Sequence, residues 1–197
     1  MGKKKIIGLC LAVGLMVGVV GGSLAWFTDT DTVTNSFATQ GNGTDESNGI
    51  KIEEIFDSEL ANKVLPGTEV NKDAKVVNTA TYKQLIRVKF DKVWKNADGK
   101  KLNLDFIQLK YQNTTTSNEV NKWIDGNDGY FYYNGVVEAD GSTEYLLDSV
   151  KLSDEANNDY KNIGYDVIVQ AEGIQASNDA VSDQWRTAPQ VIKDLGK

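Results

Sequence analysis

The sequence predicts an all-β fold: a jelly-roll-like antiparallel β-sandwich with one or two short helices in its connections. Three observations carry this. Short β-branched and aromatic runs recur along the chain, bounded by turn residues such as Pro66-Gly67 and Asn96–Gly99. Within those runs apolar residues alternate at period 2, as one buried sheet face requires. The 197 residues include only two Pro, and no long stretch carries the apolar period of a helix.

The chain opens with Lys3-Lys4-Lys5, an apolar run Ile6–Val20 and a small-x-small site at Ser23 and Ala25. That order predicts a secretory signal peptide over residues 1–25, cleaved between Ala25 and Trp26. The run is slightly short for a membrane span and lacks a basic flank behind it. Cleavage removes three Lys and no acid, and with them Cys10, Met1 and Met16, all the sulfur in the chain. The expected mature protein is secreted without disulfides. A large core, a metal, an internal covalent bond of another kind, or assembly must then supply its stability.

Residues 26–39 (WFTDTDTVTNSFAT) read as a strand. Phe27, Asp29, Asp31, Val33, Asn35 and Phe37 share one parity; Thr28, Thr30, Thr32, Thr34 and Ser36 share the other. Residues 40–49 (QGNGTDESNG) have the composition of a flexible tether. Residues 50–197 then form the sandwich domain. Its strands are expected at Ile50–Phe56, Glu69–Asn78, Lys83–Lys95, Leu102–Gln112, Gly129–Glu138, Glu144–Leu152 and Tyr165–Ala176. Residues 57–63 and 153–161 are helical candidates, the second opening on a Ser-Asp cap; 114–124 is ambiguous.

The chain has 21 basic and 28 acidic side chains and no His. The absence of imidazole excludes Ser-His-Asp and Cys-His nucleophiles and HExxH zinc sites. The acidic balance argues against nucleic acid. Leu65-Pro66-Gly67-Thr68 resembles a sortase signal, but Glu69 follows and a type II turn is the better reading. Asp125-Gly126-Asn127-Asp128-Gly129 has carboxylates at calcium-loop spacing but no closing Glu, and reads as a loop. Trp94 and Tyr130–Tyr133 read as sheet core. No cofactor, metal or enzymatic activity is expected.

Gly21–Asp29, with Asn35-Ser36-Phe37-Ala38-Thr39 after it, resembles the signal junction of the exported TasA/camelysin family, and in particular its clostridial biofilm-surface branch. Pro66-Gly67, Val76–Ala80, Ile86–Lys89 and the late strand Ala171-Glu172-Gly173-Ile174-Gln175-Ala176 extend the likeness over most of the chain. One departure is the polar Thr39–Gly49 segment, where the family runs directly into its next strand. The resemblance implies processing by a dedicated signal peptidase. It also implies a jelly-roll-like subunit whose N-terminal strand completes a neighbour's sheet, giving extracellular biofilm-matrix fibres. Camelysins are also described as metalloproteases, but no zinc-binding set exists here to support that activity.

Function is therefore expected to be structural: a self-partnering homopolymer joined head to tail by donor strands, anchored by Phe27, Val33 and Phe37. A monomeric surface adhesin, with the strand folded into its own sheet, is the alternative. On the run Lys83–Lys95, Lys92 shares the parity of Ile86, Val88, Phe90 and Trp94. A lysine in an apolar layer tends to lose its proton and become nucleophilic. With Asn35, Asp31 or Asp29 as acyl partner and Glu172 to shuttle protons, it could form an isopeptide bond between subunits. An ion pair, or a lysine snorkelling to the rim, is the plainer reading.

Overall fold

The computed structural model describes residues 28–36 (backbone), 49–61, 63–95, 97, 99–160 and 163–197. The leader 1–25, the Ala25–Trp26 junction, Phe27, Phe37 and tether residues 40–48 lie outside the described residues, as do Asn96 and Asp98 of the 96–99 turn. Among the described residues nine strands form: β1 (Thr28–Ser36), β2 (Ile50–Phe56), β3 (Glu69–Asn78), β4 (Gln84–Trp94), β5 (Ile107–Tyr111), β6 (Trp123–Asp125), β7 (Phe131–Tyr133), β8 (Leu147–Leu152) and β9 (Tyr165–Gln175). They make two antiparallel sheets, ordered β1-β9-β4-β7-β6 and β2-β3-β8-β5. Strands remote in sequence lie side by side in both, the interleaving of a jelly roll, with β2 added beside β3.

Alternation explains the strands. On β3, Val70, Lys72, Ala74, Val76 and Asn78 are buried while the residues between them face out. On β9, Tyr165, Val167, Val169 and Ala171 are buried at period 2. These two inner faces meet in a continuous core that includes Ile50, Ile52, Ile86, Val88, Trp123, Leu147 and Val150. Pro66-Gly67 makes the expected turn, with Thr68 N–H donating to Leu65 C=O at 2.8 Å and Gly67 at φ +83°. The positive φ demands glycine there, whereas the exposed Asp154 carboxylate that a Cβ would meet can swing aside.

Several boundaries differ from expectation. The strand expected over 102–112 begins only at Ile107, because the Asn103 side chain accepts from Asp105 N–H and winds 104–106 into a 3-10 turn. The run 129–138 is extended only at β7; beyond it Asn134 still exchanges backbone hydrogen bonds with Lys122 and Asn121, while its side-chain amide donates to the carbonyls of Asn118 and Glu119. Residues 153–161 give a 3-10 turn at 158–160 and no α-helix.

Helices exceed the expected one or two. Besides α1 (Ser58–Ala61), two lie at the C-terminus: α2 (Ala180–Gln184) and α3 (Gln190–Leu195). They bury Val181, Trp185, Ala188 and Ile192 on the outer face of the five-stranded sheet, over Leu85, Ile124, Tyr132 and Ile174. Their apolar spacing (181, 185, 188, 192, 195) is helical, but Pro189 splits it into two pieces too short to stand out in sequence. No helix among the described residues is long and apolar enough to cross a membrane.

Candidate functional site

The site suggested by the sequence is the N-terminal strand, and the structure places β1 at the edge of the five-stranded sheet. It pairs antiparallel with β9 of its own chain, from Thr28 opposite Ile174 to Ser36 opposite Asp166. In that register Asp29 stands opposite Gly173, Asp31 opposite Ala171, Val33 opposite Val169 and Asn35 opposite Val167. Across the sandwich edge β1 approaches β2. The chain leaves β1 at the Asp166 end of β9 and returns at Ile50, whose Cγ2 sits beside Gly173. Those points are seven rows apart, about 24 Å at strand rise. The connecting residues, 37–49, can reach at most about 45 Å, enough to close on the same sheet or to leave it for another molecule.

Lys92 does share the inner face with Ile86, Val88, Phe90 and Trp94. Its Nζ donates to Ile107 C=O on β5 at 3.0 Å. In the sheet it occupies the row Asn35–Val167–Lys92, two strand spacings from β1, or about 10 Å. Its ammonium turns toward β5, on the side of the sandwich away from β1 and β2. Glu172, the expected proton shuttle, is on the opposite face of β9. There it accepts from Arg87 at 2.6 and 3.0 Å and from Tyr130 Oη at 2.8 Å. The structure therefore does not bring Glu172 and Lys92 together. Asp29 and Asp31 fall in rows near the Ile50 end, far along the strand from Lys92.

The outer face of β9 and β4 instead forms a clip. The Arg87 guanidinium is held between the rings of Tyr130 and Trp185, at 3.9 and 4.7 Å. Asp128, from the 125–129 loop, accepts from Tyr132 Oη at 2.8 Å and from Thr187 Oγ1, and caps Tyr130 N–H at 3.0 Å. Burial pushes its carboxyl up, but these three hydrogen bonds outweigh burial and hold it below the ordinary aspartate value. The loop's carboxylates thus serve its own turns and the C-terminal helices. Desolvation, with the Glu172 hydrogen bond adding to it, lifts the Tyr130 phenol to about 12.

One group that sequence reasoning missed lies beside β2. Lys72 is fully buried on the inner face of β3, and its Nζ donates to Glu54 Oε1 of β2 at 2.8 Å. The ammonium lies 5.2 Å from the Phe56 ring centre, and the Glu54 side chain is only 11% exposed. Burial drives the Lys72 pKa below its ordinary value, opposed by the charge and hydrogen bond of Glu54. The signal was present in sequence, since Lys72 has the parity of Val70, Ala74 and Val76, and Glu54 that of Ile50, Ile52 and Phe56. It is the same signal that singled out Lys92.

No family model, curated protein or solved structure matches the chain.

Proposed function

We propose that the chain is the exported structural subunit of an extracellular matrix fibre, polymerising head to tail by donation of β1 to a neighbour. The observation that carries this reading is a nine-residue strand at a sheet edge, joined to the body by a segment long enough to deliver it elsewhere. A strand added at an edge is held by a main-chain ladder with alternate side chains giving specificity. Because the donor lies at one surface and the acceptor at another, the contact is heterologous and propagates as a filament. The strand directions set polarity. The donor's tether would leave the acceptor at its Asp166 end and join the donor body at Ile50, so bodies stack along the direction of β9.

The partners in this reading are further copies of the chain, and a signal peptidase during export that cuts before Trp26. The acidic surface gives no reason to include nucleic acid. A second reading, a monomeric surface adhesin, is favoured by the pairing of β1 with β9 of its own chain. Size-exclusion chromatography and negative-stain microscopy of the mature protein, with and without residues 26–39, test both. The fibre reading expects filaments that vanish on deletion. Filaments that persist after deletion, or a wild type monomeric at all concentrations, would overturn it.

A further inference from the structure

Apolar side chains scattered singly over a surface are ordinary, but a cluster of them at one place marks a contact. Among the described residues six large apolar side chains are exposed: Ile55, Leu60, Leu65, Val93, Leu104 and Val120. The first five gather at one end of the sandwich. Val93 stands in the row of Asp166 and Ser36, the row at which β1 ends. Ile55 is next to the last residue of β2, and Leu60 lies on α1. Leu65 precedes the Pro66-Gly67 turn, and Leu104 sits in the 3-10 turn ahead of β5.

The loops that carry these residues are tied to one another. Gly67 N–H donates to Leu152 C=O and Ser153 N–H to Phe106 C=O, both at 2.8 Å. Asn103 N–H donates to Tyr160 Oη at 3.0 Å. Behind them Phe106, Tyr160 and Trp94 pack in series, with ring centres 5.0 and 5.1 Å apart. The leucines thus stand on a braced end, turned to solvent. The same loops, 57–68, 95–105 and 153–164, hold seven acids and five Lys. Apolar anchors among mixed charges are the anatomy of a protein–protein contact, and the acidic excess disfavours anionic lipid.

What covers this end follows from where β1 leaves it. Ser36 closes β1 here, and the chain resumes as β2 at Ile50, at the opposite end of the sandwich. The connecting residues, 37–49, reach at most about 45 Å. A neighbour that donates β1 must therefore hold its own Ile50 end within that distance of this one. The Ile50 end carries the sixth residue. Val120 is 73% exposed in the loop before β6. There Asn121 N–H donates to Asn134 C=O, past β7 toward the Gln84 end of β4.

We propose that the end bearing Leu60, Leu65 and Leu104 is a docking face for a second copy of the chain, seated by its Ile50 end, the end that carries Val120. The direction of stacking rests on the fibre reading. β1 tethers neighbours to one another; the docking face takes up the slack and fixes the angle between bodies. The filament is then stiff, where the strand alone would leave bodies swinging on their connections.

Negative-stain microscopy and sedimentation of the full exported chain test this, for wild type, Leu65→Ser/Leu104→Ser, Val120→Ser and Leu65→Met/Leu104→Met. All three positions are exposed, so thermal melts should match wild type. The double serine variant should give filaments with a severalfold shorter persistence length and a critical concentration raised about tenfold. Val120→Ser should shift both in the same direction by less, and the methionine variant should behave as wild type. Double-serine filaments identical to wild type overturn the docking face and leave the fibre standing. An effect of the double variant with none from Val120→Ser overturns the seating by the Ile50 end. Wild type that forms no filaments, yet self-associates reversibly through these leucines, keeps the face and rejects the fibre. A wild type monomeric throughout overturns both. Flotation with phosphatidylglycerol–phosphatidylcholine vesicles by wild type and not by the double serine variant assigns the end to a membrane and overturns the proposal.

Discussion

Replacing Val33 by Asp probes β1, the donor strand of the proposed fibre, at its centre. β1 pairs nine residues with β9. Each ladder hydrogen bond contributes about 0.5–1.5 kcal/mol net, and fixing each residue costs about 1–2 kcal/mol. Main-chain pairing and ordering therefore roughly cancel, and the strand stays only through its side chains. Val33 stands opposite Val169, which is 1% exposed. The void that Val169 lines with Ile52, Val88 and Phe90 is about 10 Å³, barely the ~10–15 Å³ one water needs. A carboxylate placed opposite so buried a side chain must give up its hydration. The loss is one apolar anchor, about 1.5–3 kcal/mol, plus the cost of excluding an unpaired charge, which is several kcal/mol more. A total above about 3 kcal/mol is a factor of more than ~100 in strand affinity. On the fibre reading, sedimentation of the mature protein should show the critical concentration for filaments rising by at least that factor, with export unchanged and Val33→Ile near wild type. Val33→Asp filaments forming at the wild-type concentration would refute the argument.

Other perturbations address the scaffold. Trp185→Ala removes a ring that is 2% exposed and lies 6.0 Å from Tyr132. It should lower unfolding free energy by about 3–5 kcal/mol in denaturant titration, and less in an Arg87→Met background because the cation–π contact is then already gone. Gly67→Ala meets a φ of +83°; a loss of about 1–2 kcal/mol is expected by thermal melt, and Asp154→Ala should relieve little of it. The depressed Asp128 carboxyl stabilises the fold above its unfolded value of 3.8, and that contribution is lost as pH falls through the lower folded value. The near-UV signal of Trp185 should therefore weaken below about pH 4, and Asp128→Asn should melt lower at neutral pH while flattening that acid limb.

The sequence by itself determined what depends on neighbours along the chain. β2 and β3 begin and end where period-2 alternation and turn residues placed them, β9 falls one residue short, and the Pro66-Gly67 turn follows from the φ that glycine tolerates. Alternation also put Lys92 on an inner face. What alternation cannot give is which inner face meets which, because sheet order joins strands more than a hundred residues apart, as β1 joins β9. That order turned Lys92 toward the Ile107 carbonyl, put Glu172 in the clip with Arg87, and set Lys72 beside Glu54. The C-terminal helices were hidden for a related reason. Each is too short to be stable alone, and only the apolar outer face of Leu85, Ile174 and Tyr132 makes them helices. Residue parity is a local property of the backbone, while the partner of a buried charge is settled only when two sheets close on one another.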